Sequence, residues 1–215
     1  MLRLQARLWA PQARDAAIRR GRTLDRRRGP APSRGARLRL RGGPPRIAHR
    51  GGFSLAGSED ITVYDYDQGI PVPGLPAGYS FLSLEDENDP RKINAVLWKG
   101  FDHGPDPDDD YDCRLQMQSG PSFSKELTTI VRAPDGEYAC YAGMWMDGVN
   151  DFAYLEPLAT APEHRGKGLA TAALREGMRK TRAKGASYCI GGPVAFYSAI
   201  GFRSVCRKEA WRKDW

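Results

Sequence analysis

Metal-ligating and redox-active residues are scarce in this chain of 215 residues. Its four cysteines, Cys113, Cys140, Cys189 and Cys206, form no CxxC pair and meet no histidine cluster. That spacing excludes a zinc ligand set and offers no disulfide framework. Reduced thiols in a cytoplasmic protein are the simplest expectation. The three histidines, His49, His103 and His164, are as far apart, so no metal is expected. Long apolar runs are missing too. None approaches the roughly 18–20 residues a membrane-spanning helix needs, and no membrane partner is expected. No apolar stretch follows the first charges, so no secretory leader is expected.

Lysine is absent from residues 1–50, which hold 15 arginines and two aspartates, a balance of +13. The chain as a whole carries +7, so the remainder is acidic by six charges. Charge arguments therefore apply separately to the two parts. Residues 1–60 join arginine to glycine and proline and bury too little apolar surface to offset the entropy of ordering. They are expected to be a disordered Arg-rich extension. Three readings of it stay open: a tail or over-long translated leader, an arm for nucleic acid or membrane, and an organelle transit peptide. Dense positive charge suits the second. The third fits the arginine content but not the near absence of serine.

Beyond Gly74 the pattern becomes that of a folded domain, expected over residues 75–215. Residues 79–84 alternate apolar and polar as a half-buried strand does. Asp89-Pro90 predicts a helix start, with Asp as N-cap and Pro at the first position. Ile93, Val96 and Leu97 supply its apolar face, and Gly100 ends it. Residues 102–112 are rich in aspartate but lack the glycine and final glutamate of a calcium loop. A solvated loop and an acidic rim that attracts a cationic amine both remain open. Strands at 127–131, 138–146 and from 152 form an antiparallel meander joined by turn signals. A helix is expected over 166–184, then a short parallel strand at 187–190, a two-turn helix at 193–200, and a terminal hairpin from 202–205 and 209–211. The fold class is thus α/β in the broad sense (α+β).

The stretch from Leu155 to Ala170 runs strand, glycine turn, helix. Free N–H groups of a first helical turn point at an anion there, and glycines allow close backbone approach. A phosphate-bearing group is the expected occupant. Two motifs carry a resemblance: Arg165-x-x-Gly168-x-Ala170, preceded by Ala161-Pro162-Glu163, and Phe196-Tyr197-x-x-x-Gly201-Phe202 about 30 residues on. Residues 79–211 resemble the GNAT superfamily of acetyl-CoA-dependent N-acetyltransferases. The resemblance implies a mixed, mainly antiparallel sheet with splayed central strands flanked by helices. It explains Pro157, which cannot donate within a strand, as a bulge at the splay. It implies that backbone groups of Leu158, Ala159 and Thr160 bind the pantetheine arm. It further implies that the pyrophosphate of acetyl-CoA rests on Arg165, Gly166, Lys167, Gly168, Leu169, Ala170 and Thr171.

Acetyl transfer needs a neutral amine, a polarised carbonyl and a stabilised leaving thiolate. Glu156 is the candidate base; its other reading is a solvated or salt-bridged strand carboxylate. Backbone N–H near Leu158 is the expected oxyanion donor. Tyr197 is the candidate acid, and its other reading is a core tyrosine. Nothing nearby would activate Cys189 as a nucleophile. Many members of the resembling family carry Asn just before the tyrosine segment, where this chain has Ile190-Gly191-Gly192-Pro193, which removes a side-chain contact to the pantetheine. The expected function is direct acetyl transfer from acetyl-CoA to a primary amine, by a monomer or homodimer. The competing reading is a non-catalytic CoA-binding module with a basic arm for nucleic acid. Trp98 and residues 102–112 hint at a cationic or aromatic acceptor.

Overall fold

Seven strands share one sheet in the computed structural model, which describes residues 44–192 and 194–213. In chain order they are β1 (Ser54–Asp65), β2 (Ser80–Ser83), β3 (Thr129–Arg132), β4 (Tyr138–Asp147), β5 (Phe152–Thr160), β6 (Tyr188–Gly191) and β7 (Arg203–Arg212). Across the sheet the order is β2-β3-β4-β5-β6-β1-β7. Every neighbouring pair is antiparallel except β5 and β6. That parallel pair needs a crossover, supplied by α4 (Leu169–Ala183). The other helices are α1 (Pro44–Arg50), α2 (Pro90–Gly100), α3 (Asp112–Gln118) and α5 (Val194–Ala199). No helix among the described residues is long and apolar enough to cross a membrane.

The helix starts follow local chemistry. The Asp89 carboxylate accepts the backbone N–H groups of Arg91 and Lys92, and Pro90 follows it, so α2 begins where the sequence predicts. α4 ends before Gly185, whose φ of 101° suits the left-handed exit.

Two cores sandwich the first half of the sheet. On one face α4 lays Leu169, Ala173, Leu174 and Met178 against Val131, Met144, Ala153 and Leu155. The approach is close, because a Cβ on Gly177 would meet Met144 Cγ at 2.6 Å. On the other face α2 lays Ile93, Val96 and Leu97 against Ile130, Tyr141 and Ala159. This second core contains no residue of β6, β1 or β7.

Three expectations need correction. The extension expected over residues 1–60 lies outside the described residues as far as 43, but 44–60 hold α1 and most of the ribbon half of β1. Strand pairing with β7, not burial, orders Ser54 to Asp60. The terminal hairpin is instead one ten-residue strand, β7, whose partner is β1. The sequence marked no helix after the acidic stretch, yet α3 forms there with no fully buried residue.

Candidate active site

The centre of the sheet opens at β5. Ala142 pairs with Leu158 and Met144 with Leu155, so Gly143 alone faces both Glu156 and Pro157. This is a bulge with the extra residue on β5, and Pro157, having no N–H, forfeits nothing there. A Cβ on Gly143 would come within 2.6 Å of the Glu156 carbonyl oxygen, so glycine is required. The Trp145 indole N–H donates to that same oxygen at 2.6 Å. The bulge also reverses the side-chain alternation. Leu155 and Leu158 pack into the α4 core, whereas Ala159 joins the α2 core. Pairing between β5 and β6 stops at Tyr154 and Ile190. Leu158, Ala159 and Thr160 therefore pair with β4 on one side and leave the edge towards β6 open.

Beyond β5 the chain makes a short 3-10 turn, Pro162–His164, and enters α4 through Gly166 and Gly168, each with φ of 76°. A Cβ at either would meet nothing within 4 Å, so backbone conformation rather than crowding calls for glycine. Gly168 starts α4 with no side-chain capping bond. The first-turn N–H groups of Leu169, Ala170 and Thr171 therefore remain available to an anion. They open on a cleft of about 200 Å³ that Thr160, His164, Arg165, Gly166 and Phe196 also line. These features fit the pyrophosphate of a coenzyme A thioester.

The two cations of the turn are otherwise engaged. Arg165 donates to the carbonyls of Thr160 (3.2 Å) and Gly100 (2.9 Å) and to the Asp102 carboxylate (2.9 Å). It staples the end of β5 to the end of α2. Lys167 donates to the Tyr79 hydroxyl (3.0 Å) and the Glu163 carbonyl (3.1 Å), and Tyr79 also bonds His164 Nδ1 at 2.9 Å. Tyr79 and Gly100 had no sequence signal as partners of the turn, since both lie more than 60 residues upstream. The aspartates of the acidic stretch are all exposed, and the stretch is anchored at two points. Asp102 is held by Arg165, and buried Asn94 donates to the Asp108 carbonyl at 2.8 Å while accepting Arg114 Nε at 3.0 Å. No cluster of metal-ligating side chains occurs among the described residues.

Tyr197, on α5, lies against the backbone of β6. A Cβ on Gly191 would meet its ring at 2.7 Å and the Phe202 ring at 2.8 Å. The glycine pair that replaces the expected Asn thus has a packing reason. Burial pushes the Tyr197 phenol up to about 12, a hydrogen bond with the Gly192 backbone opposes this, and the charges of Cys189, Glu156 and Tyr154 add to it. The phenol, Tyr154 and Glu156 thereby share one electrostatic neighbourhood across the splay. Partial desolvation raises the Glu156 carboxyl above its ordinary value, while a hydrogen bond from Tyr154 lowers it. Glu156 nevertheless keeps solvent access. Burial pushes the Cys189 thiol up to about 12, the opposite of what a nucleophile needs.

Residues 90–202 match the sequence profile of the Acetyltransferase (GNAT) family. Solved structures agree in fold. A GCN5-related N-acetyltransferase from Sphaerobacter thermophilus superposes with a TM-score of 0.63 at 18% identity, over 79% of this chain and 55% of that one. A tandem GNAT protein from the clavulanic acid biosynthesis pathway gives 0.60 at 16% identity, over 79% and 57%. A GCN5-related N-acetyltransferase from Kribbella flavida gives 0.54 at 16%, over 76% and 60%. The chain thus spans little more than half the length of these proteins. No curated protein sequence matches it.

Proposed function

The chain belongs to the Acetyltransferase (GNAT) family, and on that premise we propose that it moves the acetyl group of acetyl-CoA directly to a primary amine, with Glu156 as base and Tyr197 as donor to the leaving sulfur. Family membership supports acetyl transfer; the activity, the residue roles and the acceptor are the proposal. The observation that carries it is the geometry of the splay: pairing of β5 with β6 stops at Tyr154 and Ile190, Glu156 lies exposed at the bulge just beyond, and half-buried Tyr197 packs against Gly191 at the end of β6.

In this reading the open edge of Leu158–Thr160 takes the pantetheine amides as an added strand would, and Arg165 to Thr171 receive the pyrophosphate. A free alkylamine has a pKa near ~10.4 and arrives charged. Glu156 takes one ammonium proton and releases it to solvent. The neutral nitrogen forms the N–C bond, the C–S bond breaks, and the sulfur leaves as a thiolate. The second nitrogen proton ends on that sulfur. A thiol ionises near ~8.5, well below the Tyr197 phenol at about 12. Tyr197 therefore holds the departing thiolate by a hydrogen bond and does not give up its own proton outright. Backbone N–H near Leu158 faces the developing oxyanion.

The test compares wild type, Tyr197→Phe and Glu156→Ala for acetyl-CoA binding by calorimetry and for thiol release with a panel of amines. Retained binding with a loss of turnover in both variants supports the roles. Binding by all three with no thiol released from any amine, wild type included, would make the chain a CoA-binding module instead.

A further inference from the structure

Strand register places a row of side chains across the sheet: Trp145 on β4 opposite Tyr154 on β5, Tyr154 opposite Ile190 on β6, and Ile190 opposite Val63 on β1. Residues directly opposite one another project to the same face. Two residues towards the start of β5, Phe152 pairs with Tyr188, and their rings stack at 5.7 Å with an interplanar angle of 21°. Two residues the other way along β5 stands Glu156.

These side chains lie on the α2 face, yet none belongs to the core that α2 buries. Tyr154 keeps 41% of its surface exposed. The two aromatics nearest Glu156 also hold it. Trp145 donates its indole N–H to the Glu156 carbonyl at 2.6 Å, and the neighbouring Tyr154 hydroxyl lowers the pKa of the Glu156 carboxyl. Phe123 meets the Trp145 ring edge-on at 5.5 Å and fixes its orientation. An immobile aromatic strip therefore leads along the sheet to one carboxylate. It ends at the splay, where β5 and β6 part.

We propose that this strip is the acceptor subsite, and that the acceptor is a small cationic primary amine borne on a flat aromatic body. The inference rests on the acetyl-transfer reading and adds the acceptor's class to it. The ammonium group meets Glu156, to which it is complementary in charge. Its body lies over Tyr154 and the Phe152–Tyr188 stack, with Trp145 as the side wall. Aromatic faces favour both a flat apolar partner and a nearby cation. The strip offers a purely aliphatic amine only contact area.

The test uses the full chain with 2-phenylethylamine and propylamine as acceptors, read by thiol release. Wild type is expected to favour 2-phenylethylamine over propylamine by about tenfold in kcat/KM, the scale of aromatic and cation–π contacts. Tyr154→Leu is expected to erase most of that preference through KM for the aromatic amine. Tyr154→Phe keeps the ring, so it is expected to keep the preference while moving the acid limb of the pH profile upwards, because the carboxylate loses a hydrogen-bond donor. Equal use of the two amines by wild type, or an unchanged preference in Tyr154→Leu, overturns the subsite but leaves acetyl transfer standing. Thiol release from no amine by a chain that still binds acetyl-CoA overturns both.

Discussion

The two halves of the sheet solve different problems. Strands β3 to β5 are packed by a helix on each face over part of their length, with Ile130 and Tyr141 under α2 and Val131 and Met144 under α4, while Trp145, Phe152 and Tyr154 at the far end of β4 and β5 stay half-buried or exposed. Strand β6 and the second half of β1 are buried on one face, through Cys189 and Tyr64, with Phe202 just before β7, and the leading half of β1 pairs with β7, which has no buried residue, as an exposed ribbon. Ion pairs such as Glu59–Lys208 at 3.0 Å decorate the ribbon, and its basic side chains discourage further strand addition at the β7 edge. The doubly packed half fixes the bulge and the glycine turn. Beyond the reach of α2 the sheet face from Trp145 to Ile190 is left open, and an acceptor can lie there. The proposed chemistry sits at the seam, where β5 leaves β6.

The strongest way to probe the seam is Tyr197→Phe. Loss of the hydrogen-bond donor is expected to lower kcat by roughly 10²-fold, with acetyl-CoA affinity little changed. A wild-type kcat would move the chemistry off the seam. The halves themselves are separated by truncation. Leu174→Ala, in the α4 core, is expected to cost about 2–5 kcal/mol; Leu55→Ala, on the ribbon, should stay within about 0.5 kcal/mol. Similar losses in denaturant titrations of both would show that the ribbon is not energetically separate.

A smaller effect tests the staple between the end of α2 and the turn. Arg165→Ala removes bonds to two carbonyls and a carboxylate, for roughly 1–2 kcal/mol, and should raise KM for acetyl-CoA. Asp102→Asn breaks only the exposed ion pair and should cost under about 1 kcal/mol. Equal losses would assign the staple to charge rather than to the carbonyls.

The smallest effect has an unusual sign. The Glu156 carboxyl titrates higher folded than unfolded, so the native state binds the extra proton and loses stability as pH rises through the interval between those values. Glu156→Gln should therefore melt slightly above wild type at pH 8 while losing turnover, and the difference should vanish below the ordinary glutamate range. A variant that melts lower at pH 8 would show that the carboxylate stabilises the fold.

Local signals made much of this legible. Asp89-Pro90 marked the start of α2 and the glycines marked the turn into α4, because each residue type is confined by its own backbone geometry; the bulge at Pro157 came from the family resemblance. β1 was missed although residues 61–66 carry β-branched and aromatic side chains, since the polar, glycine-containing stretch before them has no periodicity. Its order comes from β7, some 150 residues away. The terminal hairpin failed for the same reason: strand propensity does not name the partner.

Within the site, the sequence determined the glycine turn into α4 and the order of elements, which depend on neighbours a few residues apart. Only the tertiary structure decided that Arg165 and Lys167 are staples, that Gly191 makes room for Tyr197, and that Trp145 and Tyr154 frame Glu156. Those relations join strands through register and packing. A one-residue slip would turn every side chain to the other face, and no local pattern encodes which strand lies alongside.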